Sequence, residues 1–182
     1  MVIPLKLQTR RLKLVELLIL VLMGVLMYVS QVIMAPLPNI ELVSFLIIIT
    51  ARRFSFKSLI SVYIFAFLEI MTYGFHIWSI NYLYVWAILV LVVIPLRKID
   101  NVVLYTIVSG IFGMAFGTLC SIPYFITGGI SMGVAYIISG ISFDIPHCIG
   151  NIVLTAILYI PITKAFNYIL DKTLKSAKFS RQ

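Results

Sequence analysis

Acidic side chains are scarce in this chain. Of 182 residues only six are Asp or Glu, and charged residues of both signs make up 11%. A soluble domain is about a quarter charged, so the solvated surface of an ordinary globular domain is excluded. Cysteine is nearly missing too. Cys120 and Cys148 have neither metal-ligand spacing nor an extracellular cysteine framework around them, which leaves them as small packing residues. No charged or Pro/Ser-rich linker divides the chain, and no repeat with a period of about 20–50 residues is visible. Residues 1–182 therefore read as one domain. The sequence also lacks a G-x-x-x-x-G-K-[ST] phosphate loop, an H-E-x-x-H helix and a G-x-S-x-G elbow. ATP hydrolysis by the first route, zinc proteolysis and elbow-type serine hydrolysis are excluded with them.

What is plentiful is hydrocarbon. Hydrophobic residues make up 62%, with long apolar runs over 14–34, 59–73, 82–96 and 102–122. A bilayer core takes about 20 apolar residues per helix, and these runs approach or meet that length. The sequence predicts an all-α membrane protein. The first run is too long for a signal-peptide core and has no small-residue cleavage site, so it reads as a retained helix.

Six helices are expected, at about 10–34, 39–51, 55–74, 79–96, 101–122 and 143–170. Charge tests the count. The 14 basic residues fall in four places: Lys6, Arg10, Arg11 and Lys13; Arg52, Arg53 and Lys57; Arg97 and Lys98; and Lys164, Lys172, Lys175, Lys178 and Arg181. Six crossings put all four on one side, which the positive-inside rule makes cytoplasmic, with both termini inside. The net charge of +8 is then a basic rim facing anionic lipid and needs no nucleic-acid partner.

The second helix is short. Residues 40–51 would cover about 18 Å, so the helix starts partway down the membrane after a dipping loop, "APLPN". Pro36 and Pro38 stiffen that loop and Asn39 is a candidate N-cap. Backbone at such depth needs protein or a water-filled cavity around it.

The polar residues gather at the end away from the basic rim. Glu69, Tyr73 and His76 follow helical offsets, as do Asp144, His147 and Asn151, giving two stripes. With Asn39, Glu41, Trp78, Asn81, Tyr82, Trp86 and Tyr124 they are the candidates for a polar, aromatic-walled pocket. Plainer roles exist for several. Trp78, Tyr82 and Tyr84 suit an interfacial aromatic belt, and Asp144 with His147 suits a structural pair that caps the last helix, with Pro146 in its first turn. Glu41 could answer its helix dipole, and Glu69 could tie two helices. Ser109, Gly113 and Gly117 form a small-residue face suited to close packing within the bundle or to a partner. Gly128, Gly129 and Gly133 mark a pliable loop. No metal site is expected, because His76 and His147 lie apart and the carboxylates are scattered. Ser139-Gly140 is a weak partner for His147 in a hydrolase.

The segments "PLPNIELVSFLIII", "YGFHIWSINYLYVWAILV", "GIFGMAFGTLCSIPYFITGG" and "AYIISGISFDIPHCIGNIVL" together resemble the substrate-binding S components of energy-coupling factor (ECF) transporters. The resemblance implies a six-helix bundle in a bacterial cell membrane that captures a vitamin at its outer face. It also implies docking on a membrane scaffold (T) component with two ATPase subunits. ATP and Mg2+ would belong to those ATPases, with no cofactor and no catalysis in this chain. In the family the loop between helices one and two acts as a lid, and docking uses an A-x-x-x-A face on helix one. Here Leu20, Gly24 and Tyr28 stand at that spacing, a partial match.

Aromatic walls with Glu69, His147 or Asn151 suit a flat heterocycle of the pyridoxine or hydroxymethylpyrimidine type. A cobalamin-specific S component is the alternative within the family. A self-contained proton-coupled transporter using Glu69 or Asp144, or an intramembrane enzyme using His147, are the alternatives outside it.

Overall fold

The computed structural model describes residues 14–37 and 39–179, with side chains to residue 173. Lys6, Arg10, Arg11, Lys13, Pro38 and Arg181 lie outside the described residues, as do the side chains of Lys175 and Lys178. The chain is all-α: α1 (Leu14–Met34), α2 (Val43–Phe54), α3 (Leu59–Tyr73), α4 (Ile77–Leu96), α5 (Val102–Cys120) and α6 (Ile122–Phe179), with a 3-10 turn at Ser55–Ser58. Five helical stretches are long and apolar enough to cross a membrane: α1, Val43–Tyr73 taken as one stretch, α4, α5 and α6 as far as Thr173. Their outward faces are aliphatic. On α1 Leu14, Leu22 and Ile33 are 65–71% exposed, an arrangement that lipid tails solvate and water does not. This is the build of a multi-pass membrane protein.

Side-chain bonds give the helix directions. Ser61 donates to the Leu20 carbonyl at 2.7 Å and Tyr28 meets Thr72 at 2.7 Å, so α1 and α3 run parallel. Phe65 packs on Trp86 and Tyr73 on Trp78, making α3 and α4 antiparallel. Tyr105 donates to the Leu96 carbonyl and Tyr84 to the Leu119 carbonyl, so α4 and α5 are antiparallel as well. Helix α6 opposes α5 through Asp144 on Gly117 and Asn151 on Ser109, and parallels α2 through His147 on Glu41 and Tyr159 on Arg52. The chain reverses between α2 and α3 at Ser55, whose backbone sits at φ 55.

Helix α2 is short for a physical reason. Nine consecutive residues, from Val43 to Ala51, are buried. A helix that is apolar all round is one enclosed by protein, so α2 has no lipid thickness to match. It starts at Val43, later than the expected 39, and Asn39 is not its N-cap: Asn39 stands outside it at φ 58. Glu41 does the work instead, its carboxylate accepting the Ser44 N–H at 3.0 Å and the Ser44 hydroxyl at 2.6 Å.

The expected last helix at 143–170 is corrected more strongly. Helix runs from Ile122 to Phe179 with a single non-helical residue, Gly129, at φ 70 and ψ −169. That backbone region belongs essentially to glycine. In an apolar medium every N–H needs an internal partner, so the reversal is concentrated in one residue and no long loop forms. Tyr124 then stacks on Tyr136 at 4.1 Å across the bend. Pro146 lies inside the helix, and Asp144 caps nothing. From 130 to 179 the helix measures about 75 Å, more than twice the roughly 30 Å hydrocarbon core.

Candidate functional site

At the Glu41 end of α2 four helices and the α1–α2 segment meet around a cleft of about 290 Å³. The end of α1 supplies Gln31, α4 supplies Tyr82 and Trp86, and α6 supplies His147; Phe116 of α5 closes the wall, and Asn39 and Glu41 come from the α1–α2 segment. A second cleft of about 250 Å³ shares Asn39, Phe116 and His147 and continues past Tyr136 to Asp144.

The polar floor is ordered by bonds between elements. His147 Nε2 donates to Glu41 Oε1 at 3.1 Å, and both residues are buried. The Ser44 bonds hold the same carboxylate from below, so its position is fixed from two helices. Phe116 presents its ring edge-on to the imidazole, 4.9 Å between centroids. Asp144 Oδ1 accepts the Gly117 N–H at 2.9 Å. A Cβ on Gly117 would lie 2.5 Å from that carboxylate, so only glycine admits it.

Aromatic rings form the wall. Contacts run from Trp78 to Tyr82 at 5.2 Å, Tyr82 to Trp86 at 5.7 Å and Trp86 to Phe116 at 5.2 Å. Two buried polar atoms among the lining residues have no hydrogen-bond partner: Gln31 Oε1, an acceptor, and Trp86 Nε1, a donor. Buried polar groups are nearly always satisfied, so a lone acceptor and a lone donor on residues that line an aromatic-walled space suit a molecule carrying both functions.

The clefts bring together Asn39, Glu41, Tyr82, Trp86, Asp144 and His147 of the expected set. The others stand elsewhere. Asn151 is buried beneath, donating to Ser44 Oγ and to the Ser109 carbonyl at 3.2 Å each, and ties α2, α5 and α6. Asn81 accepts the Tyr84 hydroxyl at 2.9 Å. Tyr124 serves the bend at Gly129. Tyr73 and Trp78 sit at the rim, with Tyr73 exposed. His76 is off the expected stripe, because α3 ends at Tyr73 and Gly74 turns the chain at φ 83. It precedes α4, its N–H bonded to Ser79 Oγ at 3.0 Å. Glu69 is buried with Oε1 unpartnered, an electrostatic neighbour of Tyr82 but outside the cleft linings. Gln31 and Phe116 escaped the sequence reading. A glutamine three residues before the end of an apolar run looks like a membrane boundary, and a phenylalanine in a transmembrane helix looks like lipid contact.

The expected docking face is occupied. Leu20 accepts the Ser61 hydroxyl, Tyr28 meets Thr72, and a Cβ on Gly24 would lie 2.6 Å from the Ser61 carbonyl oxygen. The close approach that Gly24 permits is made by α3 of the same chain. The small face of α5 is likewise internal: added Cβ atoms on Gly110 and Gly113 would meet Ile152 and Cys148 of α6. Ser139 Oγ donates to the Tyr136 carbonyl at 3.0 Å, a bond within its own helix. Among the described residues no three His, Cys, Asp or Glu side chains converge to hold a metal.

No family model matches the chain, and no match was found among curated proteins or among solved structures.

Proposed function

We propose that the chain is the substrate-capture subunit of an ECF-type importer, crossing the cell membrane six times with both termini in the cytoplasm. Its Glu41 end faces outward, holds a small water-soluble vitamin, and releases it inward when the subunit docks on a scaffold component with two ATPases. The observation that carries this reading is the aromatic-walled cleft beside the Glu41–His147 pair, two of whose lining residues, Gln31 and Trp86, carry buried polar atoms without a partner among the described residues. The resemblance of the four quoted segments to S components supports it. So does the charge pattern: the described basic clusters lie at the opposite end, beside Arg52.

The cleft volume favours a single heterocycle of pyridoxine or hydroxymethylpyrimidine size. Drug-sized ligands occupy about 300–1,000 Å³, and 290 Å³ lies just below that range, too small for a corrinoid. Because α3 covers Leu20 and Gly24 and engages the half-buried Tyr28, docking on the scaffold would use another surface.

One observation favours a second reading. The buried, unpartnered carboxyl of Glu69 is the kind of group that carries a proton in a self-contained carrier. Reconstitution separates the two. The protein alone in vesicles is expected to retain a vitamin, identifiable by mass spectrometry after gentle purification, without accumulating it under a proton gradient. Sustained gradient-driven uptake by the chain alone would overturn the capture reading.

A further inference from the structure

The Arg52 end of the bundle holds a cleft that substrate capture does not use. It measures about 170 Å³ and lies where α2 and α4 end against α6. Its polar lining is Arg52, Arg53, Arg97, Thr163 and Asn167, with no carboxylate among the lining residues. The carbonyl ends of α2 and α4 favour cations at this level. Arg52 is fixed there: it pairs with Asp100 at 3.1 Å, donates to Tyr159 Oη and lies over the rings of Tyr105 and Tyr159. Arg53 pairs with Asp171 at 2.6 Å.

Three further features belong to its lining residues. Arg52 Nε and Thr163 Oγ1 are buried without a hydrogen-bond partner. The Arg97 guanidinium forms no hydrogen bond or ion pair among the described residues. The cleft therefore gathers donors in excess of acceptors around a space smaller than a drug-sized ligand needs. Converging guanidinium and hydroxyl donors match the oxygens of a phosphate group. An adjoining cleft of about 370 Å³ shares Thr163 and Asn167, adds Lys164, and opens over Val102 and Ile160. Ile160 is 51% exposed, so this extension would receive an apolar continuation of a bound phosphodiester. Asp100 lines the extension too, already engaged by Arg52 and by the Tyr159 hydroxyl at 2.8 Å.

We infer that this cleft binds one phosphate group, as the headgroup of an anionic phospholipid or as free phosphate. The test uses the purified full chain in nanodiscs of phosphatidylcholine, with or without phosphatidylglycerol, and in phosphatidylcholine discs with added inorganic phosphate. Native mass spectrometry and thermal unfolding are the readouts. Preferential retention of phosphatidylglycerol, reduced about fivefold by Arg97→Gln and also by Thr163→Val, supports a lipid headgroup. Stabilisation by inorganic phosphate alone, with the same dependence on Arg97 and Thr163, supports free phosphate. Lys98→Gln is the control, a neighbouring exposed cation that does not line the cleft. Equal retention of both lipids with no phosphate effect, or an equal loss in Lys98→Gln and Arg97→Gln, overturns the site. Vitamin binding at the opposite end is read separately, so the two proposals fail independently.

Discussion

The two ends of α2 handle charge in opposite ways. At one end the Glu41 carboxylate is held by Ser44 and His147 beside a cleft with a lone donor and a lone acceptor in its walls. At the other, the Arg52 guanidinium is clasped by Asp100 and laid over Tyr105 and Tyr159 at 4.8 and 5.4 Å from their centroids. The nine buried residues between them keep the two sites apart. An acid–imidazole pair with aromatic walls can polarise and stack a neutral ring. A pinned guanidinium with Arg53 and Arg97 beside it favours an anion. One helix thus separates the two proposed ligand chemistries, with a carboxylate just before its first turn and arginines in its last, the order its dipole favours.

The largest effect is expected where a carboxylate occupies the space of a missing side chain. Gly117→Val places carbon 2.5 Å from Asp144, so the carboxyl must leave its bond to the Gly117 N–H or α5 and α6 must part. Overpacking of this kind costs about 1–3 kcal/mol, and the lost bond adds to it. Thermal unfolding should show the loss, together with weakened ligand retention. Gly140→Ala is the contrast, because its Cβ would lie 3.8 Å from the Gly117 Cα. That is ordinary contact, and alanine is the better helix former. Equal damage from both variants would remove Asp144 from its place in supporting the cleft.

At the other end, Arg52→Gln should destabilise the protein by about 1.5–3 kcal/mol, the range for charged hydrogen bonds. It removes the ion pair to Asp100 and the bond to Tyr159 Oη, leaving those two bonded to each other, and loses two ring contacts. Ligand affinity at the Glu41 end should stay within about twofold, since additivity holds between distant sites. A large fall in affinity, measured by titration calorimetry, would show that the two ends are coupled through α2 and would break the comparison.

How much of this was legible depended on which physical rule a residue obeys in lipid. The all-α membrane class followed from apolar runs, and the spacing of Asp144, His147 and Asn151 placed all three on the buried face of α6. The twelve-residue apolar run flagged α2 as unusual, and its burial explains its length. The glycines misled because their turn signal comes from water-soluble chains: of Gly128, Gly129 and Gly133 only Gly129 leaves helical geometry. The same signal was overlooked at Gly74, which ends α3 and takes His76 off the stripe. Small residues on α1 announced a close approach without saying whose, and α3 supplies it. Gln31 and Phe116 carried no local signal at all; what makes them site residues is the arrival of α4 and α6 from elsewhere in the chain.

The smallest expected effects separate lining from support. His147 and Asn151 are one turn apart on α6 and both buried, yet only His147 reaches the cleft. His147→Ala leaves Glu41 without its imidazole partner and opens the floor beside Phe116, so affinity should weaken by about 1–2 kcal/mol. Asn151→Ala removes bonds to Ser44 and to the Ser109 carbonyl, costing about 1 kcal/mol of stability with affinity nearly unchanged. The pair is best measured together, by calorimetry on whatever molecule the purified protein retains and by thermal unfolding on the same samples. Matching affinity losses would mean that the site extends down α6 past Ser44. Matching stability losses with no change in affinity would make the Glu41–His147 pair a structural clasp, with the cleft beside it incidental.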